Sequence, residues 1–221
     1  YVRGDQSREN SNGGPFRNRA VLLGDIVNAK VTPVGPPNSP YGETLNPGYT
    51  AFKSARATRS TMVYVGANDG MLHAFNGSID DTNTDAGKEK FAYVPSALFN
   101  GPNGTPQVDG LAQLGNPNYT HHYYVDATPL AFDIDLNYAG GVFTTTANGT
   151  DARWRSILIG GLGKGGRSYY AIDVSDPDAM SDETTVASKV MWEFTDATMG
   201  YSYGAPVVVR TKKYGWVVVF T

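Results

Sequence analysis

One stretch occurs twice in related form, and it restricts the fold more than any other feature. Residues 61–75 read Thr-Met-Val-Tyr-Val-Gly-Ala-Asn-Asp-Gly-Met-Leu-His-Ala-Phe, and residues 156–173 read Ser-Ile-Leu-Ile-Gly-Gly-Leu-Gly-Lys-Gly-Gly-Arg-Ser-Tyr-Tyr-Ala-Ile-Asp. Each predicts a strand, a glycine turn and a second strand. A polar loop and a third strand with aromatics follow in both cases, Phe91 and Tyr93 in the first and Trp192 and Phe194 in the second. A recurring antiparallel unit of this kind is the sequence form of a β-propeller blade. Propellers serve many unrelated purposes, so function has to be argued from sites.

The remaining strands fall into place around the repeat. Residues 1–19 are polar and read as a lead-in loop. Residues 20–95 hold a first blade whose innermost strand is expected over 21–34, from Val21, Leu23, Ile26, Val27 and Val31, before the prolines at 33, 36, 37 and 40. One or two helical turns are expected over 51–59. The next three strands are expected over 62–67, 72–75 and 89–94. Between the first two, Asn68-Asp-Gly70 is a hairpin signal, since these residues tolerate the positive φ of two-residue turns. Residues 96–118 form an insertion with brief helices at 96–99 and 109–114. A second blade over 119–196 has strands at 128–136, 154–160, 167–174 and 189–194. A third begins within 197–221, with strands at 205–210 and 215–220.

The fold class is therefore all-β, a partial propeller of four-stranded antiparallel blades with about two and a half blades present. Propellers close with roughly 4–8 blades. The closing blades are expected outside this sequence, and a compact two-sheet domain is the alternative if the segment is whole.

Composition excludes several classes. The chain has 40% hydrophobic residues, 26 glycines and 14 tyrosines, enough for a core with many turns. A net charge of -3 with scattered basic residues gives no reason to bind nucleic acid or an anionic membrane. No run approaches the roughly 20 apolar residues of a membrane helix. The absence of cysteine removes disulfides, thiolate metal sites and thiol nucleophiles.

Several local motifs invite chemistry. In the acidic loop after the first repeat, Asp81, Asn83 and Asp85 copy the first spacings of a calcium-binding EF-hand loop, with Glu89 a further oxygen donor. Ala86 stands where the sharp turn needs Gly, and Ala92 where the bidentate Glu belongs, so a solvated hairpin loop is the preferred reading. Arg3, Gly4 and Asp5 form a candidate adhesive tripeptide, for which a structural role in pairing to neighbouring loops is preferred. Residues 161–166 fit the G-x-G-x-x-G pattern of dinucleotide sites. That chemistry needs the glycines to open a helix, whereas the following residues read as a strand. A glycine-rich hairpin that lets blades approach is the better account.

His73, His121 and His122 are the only histidines. Adjacent His121 and His122 would point to opposite faces of a strand, so hydrogen bonding between blades is expected rather than zinc. Asp126, Asp133 and Asp135 are candidates for a carboxylate pair, with turn capping the expectation for the latter two. No nucleophile elbow or activated cysteine is present, and no catalytic residue is assigned. Sequons at Asn76, Asn103, Asn118 and Asn148 mark exposed loops, and no modification is assumed. Tyr119, Tyr123, Tyr124, Tyr138, Tyr201 and Tyr203 gather near blade connections. Core packing is the first expectation for each and a partner surface the second.

Phrases along the chain resemble the PilC/PilY family of type IV pilus biogenesis factors. They lie at 1–5, 16–28, 63–75 and 91–95, and then at 119–126, 154–167, 170–177 and 200–206, in the family's order. Departures are Asp126-Ala127 where the family has Asp-Gly, and insertions at 76–87 and 137–151. The resemblance implies the first part of the family's C-terminal propeller-like domain. It implies a secreted, non-enzymatic protein at the bacterial surface and pilus tip that supports pilus assembly, opposes retraction and contributes to adhesion and twitching motility. Expected partners are minor pilins and a host or abiotic surface. The family's calcium loop is expected in a later blade, with no cofactor in this segment. The alternative function is a quinoprotein-type periplasmic dehydrogenase, which would hold a calcium-bound quinone in a central funnel.

Overall fold

The computed structural model describes residues 1–139, 142–143 and 152–221. Two four-stranded antiparallel sheets dominate it. The first is the meander β1 (Thr32–Val34), β2 (Met62–Gly66), β3 (Leu72–Asn76) and β4 (Glu89–Tyr93), paired in that order. The second pairs β5 (Leu130–Asp135) with β8 (Trp154–Gly161), then β9 (Tyr169–Asp173) and β10 (Val190–Phe194). A small hairpin of β6 (Tyr138–Ala139) and β7 (Val142–Phe143) follows β5 in the chain with β6 against β12 (Gly215–Val219), and β11 (Val207–Thr211) pairs with β12 after the second sheet. The first strands of the two sheets, β1 and β5, are neighbours, as successive blades require. The all-β propeller reading holds.

The strands form where β-branched and aromatic residues cluster, and they end at Gly, Asn and Pro. The main core lies between the two sheets. It joins Tyr64, Leu72, Ala74 and Phe91 of the first to Leu158, Tyr170 and Ile172 of the second, with Leu98, Leu111 and Leu114 of the insertion as its lid. Tyr124 and Val125, both fully buried, lie in the connection between the sheets and belong to the same core. A second cluster of Ile157, Ile159 and Ala171 receives Val208 and Val218 from the last hairpin. Each fully buried aromatic contributes about 2 kcal/mol of apolar transfer, so the tyrosines are a principal source of cohesion.

Among the described residues three short α-helices punctuate the loops: α1 (Tyr49–Ala55), α2 (Ala97–Asn100) and α3 (Glu183–Ala187). The last has no hydrophobic period to announce it. It is held by a reciprocal cap in which Asp182 accepts from the Thr185 amide at 2.9 Å and the Asp182 amide donates to the Thr185 hydroxyl at 3.1 Å.

Two local expectations are corrected. The inner strand expected over 21–34 is reduced to Thr32–Val34, and residues 20–31 run as an irregular strap with Val21, Leu23, Ile26, Val27 and Val31 exposed. Their spacing does not alternate, and several strap amides are taken by side-chain acceptors instead of a ladder. The turn at Asn68-Asp-Gly70 has only Gly70 at positive φ (91°), with the Ala67 amide bonded to Met71 O at 3.0 Å. It is thus a three-residue loop closed by a left-handed Gly, not a two-residue turn.

Candidate functional site

The strap crosses the seam between the two sheets, and carboxylates hold it there. The Gly24 amide donates to Asp69 Oδ2 at 2.7 Å. A Cβ on Gly24 would stand 2.2 Å from the Asp69 nitrogen, so only Gly fits this approach. The Asn68 amide donates to Asp25 O at 3.0 Å and its side chain to Asp25 Oδ2 at 3.0 Å. Further along, buried Asp126 accepts from the Asn28 amide at 3.1 Å and from Asn28 Nδ2 at 2.6 Å. The Lys30 amide donates to Thr128 Oγ1 at 2.9 Å.

His73 anchors the same seam from inside the first sheet. It is 3% exposed, with Nε2 3.1 Å from Asp69 Oδ2 and Nδ1 2.5 Å from Glu89 Oε1. Burial works against the imidazolium, but hydrogen bonds and charge from Asp69 and Glu89 outweigh it and raise the pKa above the ordinary histidine value. His121 Nε2 lies 2.8 Å from Asp25 Oδ2. Burial of Asp25 opposes its ionisation, yet the hydrogen bonds from Asn68 and His121 win and lower its pKa. His73 therefore serves its own sheet, whereas His121, in the span of the second blade, hydrogen-bonds Asp25 in the span of the first, as expected between blades. Residues 120–122 form no strand, and His122 packs its ring against Tyr119 and Tyr124 instead.

Asp133 is not a turn cap. Its buried carboxylate accepts from Tyr49 OH at 2.6 Å, Ser39 Oγ at 3.1 Å and Ser156 Oγ at 2.6 Å. Burial, reinforced by the Asp133 carboxylate, pushes the Tyr49 phenol pKa up. Arg59 Nη1 joins at Ser156 Oγ, 2.8 Å away, so residues from the 35–59 loop close over β5 and β8. Asp135 does cap, accepting from the Asn137 amide at 3.0 Å and the Arg153 amide at 2.8 Å.

The glycine motif at 161–166 is a meeting point of chain segments. It forms a single 3-10 turn at Gly163–Gly165 and leads into β9, so no helix N-terminus is offered to a pyrophosphate. A Cβ on Gly165 would lie 1.9 Å from the Tyr124 carbonyl oxygen. From the other side, buried Ser202 accepts from the Leu162 amide at 2.8 Å and donates from its own amide to Gly166 O at 3.0 Å.

In the acidic loop, Asp81 and Asp85 are exposed, and Asn83 Oδ1 accepts from the Asp85 amide at 2.9 Å. Asp85 pairs with Lys88 at 3.3 Å, and Glu89 turns to His73, away from the other three. Among the described residues no three His, Cys, Asp or Glu side chains converge as a metal site would need. Arg3 and Asp5 are exposed at a turn with Gly4 at φ 88°. Arg3 reaches Glu183 at 2.5 Å, and Asp5 Oδ1 accepts from the Ser7 amide at 2.8 Å.

Among the tyrosines, Tyr124 is core, Tyr119, Tyr123 and Tyr201 are half-buried, and Tyr203 is exposed. The Tyr138 side chain and Asn148 lie outside the described residues, as does most of the insertion at 137–151. Asn76 is the last residue of β3, Asn103 donates to Asp109 at 2.7 Å, and Asn118 is exposed. Sequence reasoning missed Asp25, Asp69 and Asn28. Each is a loop polar residue whose partner lies 43 to 98 positions away, so no local spacing marks it.

Comparison with known proteins gives a consistent answer. Residues 23–221 match the family described as the PilY1 beta-propeller domain. A type IV pilus biogenesis factor PilY1 homolog of Xylella fastidiosa is 36% identical over 235 residues, covering 100% of this chain and 14% of that protein. The PilY1 of Pseudomonas aeruginosa strain UCBPP-PA14 is 35% identical over 231 residues, covering 99% of this chain and 16% of that protein. The crystal structure of the Pseudomonas aeruginosa PilY1 C-terminal domain matches with a TM-score of 0.53 and 30% identity, over 85% of this chain and 30% of that one. The chain thus spans 14 to 16% of the length of these curated relatives. Whole-chain identity at this level and the match to nearly every residue of the fold place this chain in the PilY1 β-propeller family of type IV pilus proteins.

Proposed function

We propose that this chain is a non-enzymatic scaffold segment of a type IV pilus biogenesis factor. The observation that carries the reading is the family match over residues 23–221, since relatives at 35 and 36% identity bear that name. The geometry supports a scaffold. Buried Asp133 and His73 each hold a loop to a sheet and buried Asp126 ties the strap to the connection before β5, which fixes the surface loops on a rigid body.

The full-length protein works outside the cell at the pilus tip, where it contacts minor pilins and a host or abiotic surface. There it supports pilus assembly, opposes retraction and contributes to adhesion and twitching motility. Its calcium is held in a later blade, not by Asp81, Asn83, Asp85 and Glu89. Among the described residues no helix is long and apolar enough to cross a membrane.

Deleting the gene tests this. Surface pili and twitching are expected to disappear, and pili to return when retraction is also disabled. Normal piliation in the deletion strain would refute the reading. Dye-linked alcohol oxidation by a cofactor-bearing purified protein would replace it with the dehydrogenase. For Arg3, Gly4 and Asp5, cell binding by full-length protein is expected to be unchanged in Asp5→Glu if they only shape the turn.

A further inference from the structure

A cleft of about 220 Å³ lies beneath the strap, and its walls include Tyr1, Arg17, Leu22, Leu23, Leu114 and Tyr119. This is below the roughly 300–1,000 Å³ of drug-sized pockets, so it suits a single residue or a small acid. Its charge is unevenly satisfied. Arg19 is neutralised by buried Glu9, with Nε 2.8 Å from Oε1. Asp69, also on the wall, is held by the Gly24 and Met71 amides and by His73, and Asp25 by Asn68 and His121.

Arg17 differs from all of these. Its guanidinium carbon sits 3.9 Å from the centre of the Tyr119 ring, and Nε donates to Leu114 O at 2.7 Å. Both contacts are to residues of the cleft wall, which fixes the guanidinium plane at the cleft. No carboxylate lies within 4.0 Å of it among the described residues, and beyond the Nε bond its guanidinium interacts with the Tyr1 hydroxyl, a neutral group of the same wall. A planar fork held by stacking, the Nε bond and the Tyr1 hydroxyl, with no counter-charge among the described residues, keeps terminal N–H donors for a carboxylate. Asn18 adds a donor on the same wall, because among the described residues only its Oδ1 is engaged, by the Ser11 amide at 2.8 Å. Leu22, Leu23 and Leu114 supply an apolar lining beside the charge.

We infer that this cleft is a binding site for a carboxylate borne on a peptide, with Arg17 as the carboxylate clamp and the leucines as the side-chain wall. The carboxylate is either a free C-terminus or a Glu side chain. The test uses the full-length protein and fluorescent peptides in two arms, read by anisotropy: acetyl-Ala-Ala-Leu with a free or an amidated end, and amidated acetyl-Ala-Glu-Leu against its Gln counterpart. The expected result is that in one arm the carboxylate form binds at least tenfold tighter, and that arm names the source. This preference is expected to vanish in Arg17→Gln and to be weakened in Arg17→Lys. Because Arg17 also packs on Tyr119, Leu23→Glu is the second variant; Leu23 is 41% exposed, so the change places a like charge at the cleft with little effect on folding. Loss of the preference in Leu23→Glu, at an unchanged melting temperature, supports the site. Equal binding of carboxylate and neutral forms in both arms, or a preference that survives Leu23→Glu, overturns it.

Discussion

Gly165 accepts no side chain, because the Tyr124 carbonyl occupies the space a Cβ would need. Gly165→Ala is expected to destabilise the protein by about 3 kcal/mol, read as a lower urea midpoint, since backbone on both sides must move. Asp133 answers to a different rule. Removing its carboxylate strands the Tyr49, Ser39 and Ser156 hydroxyls, so Asp133→Ala is expected to lose about 3 kcal/mol. Tyr170 gives the opposite sign. Its hydroxyl is buried with no partner among the described residues, and burial raises its pKa. Tyr170→Phe removes an unsatisfied group without opening a cavity, and is expected to leave stability unchanged or raise it by up to about 1 kcal/mol. A loss of more than 1 kcal/mol on chemical unfolding would show that the hydroxyl has a partner. The glycine turn was legible at this scale because steric need imposes Gly on the sequence. The Asp133 network was not, since Ser39 and Tyr49 lie 94 and 84 positions away.

The strands themselves were nearly all legible as elements. Expected strands at 62–67, 72–75, 89–94, 154–160 and 189–194 meet observed ones that differ by one or two residues at their ends, because alternating apolar residues pin the register. The strap was misread for a physical reason. Val21, Leu23, Ile26, Val27 and Val31 look like strand material, but apolar content without alternation does not create a partner for the backbone. The amides of Gly24, Asn28 and Lys30 go to Asp69, Asp126 and Thr128. The strap therefore depends on side chains where a strand would depend on a ladder. Asp126→Ala is expected to speed amide hydrogen exchange at Asn28 and Lys30 and to cost about 1–2 kcal/mol, while exchange in β2 and β3 stays slow. Equal acceleration in the strap and the sheet would mean that Asp126 supports the whole fold.

At the scale of the molecule, the two sheets and the insertion share a core, the strap is tied to them along a polar seam, and the seam titrates. The folded state raises the pKa of His73 from its ordinary value of 6.5. The stabilisation is therefore fully present below about pH 6.5 and is lost as pH rises through the elevated folded value. The melting temperature of the full-length protein is expected to exceed that of His73→Gln most at pH 5.5, with the gap closing toward pH 9. A gap that widens with pH would mean that His73 is held neutral. Calcium stoichiometry of the full-length protein is expected to be the same in an Asp81→Asn, Asp85→Asn double variant, because Glu89 is turned to His73 and does not join the loop. By itself the sequence determined the all-β repeat, the strand positions other than the strap, the rejection of a nucleotide loop and the family resemblance, because period, turn chemistry and motif order are local properties of a chain. Only the tertiary structure decided that the strap is tied by Asp69 and Asp126, that His73 sits between two carboxylates, and that Arg17 faces a cleft without a counter-charge. Those facts depend on which distant residues the packed sheets bring within hydrogen-bond reach. The repeated strand unit announces the sheets but carries no information about the seam between them.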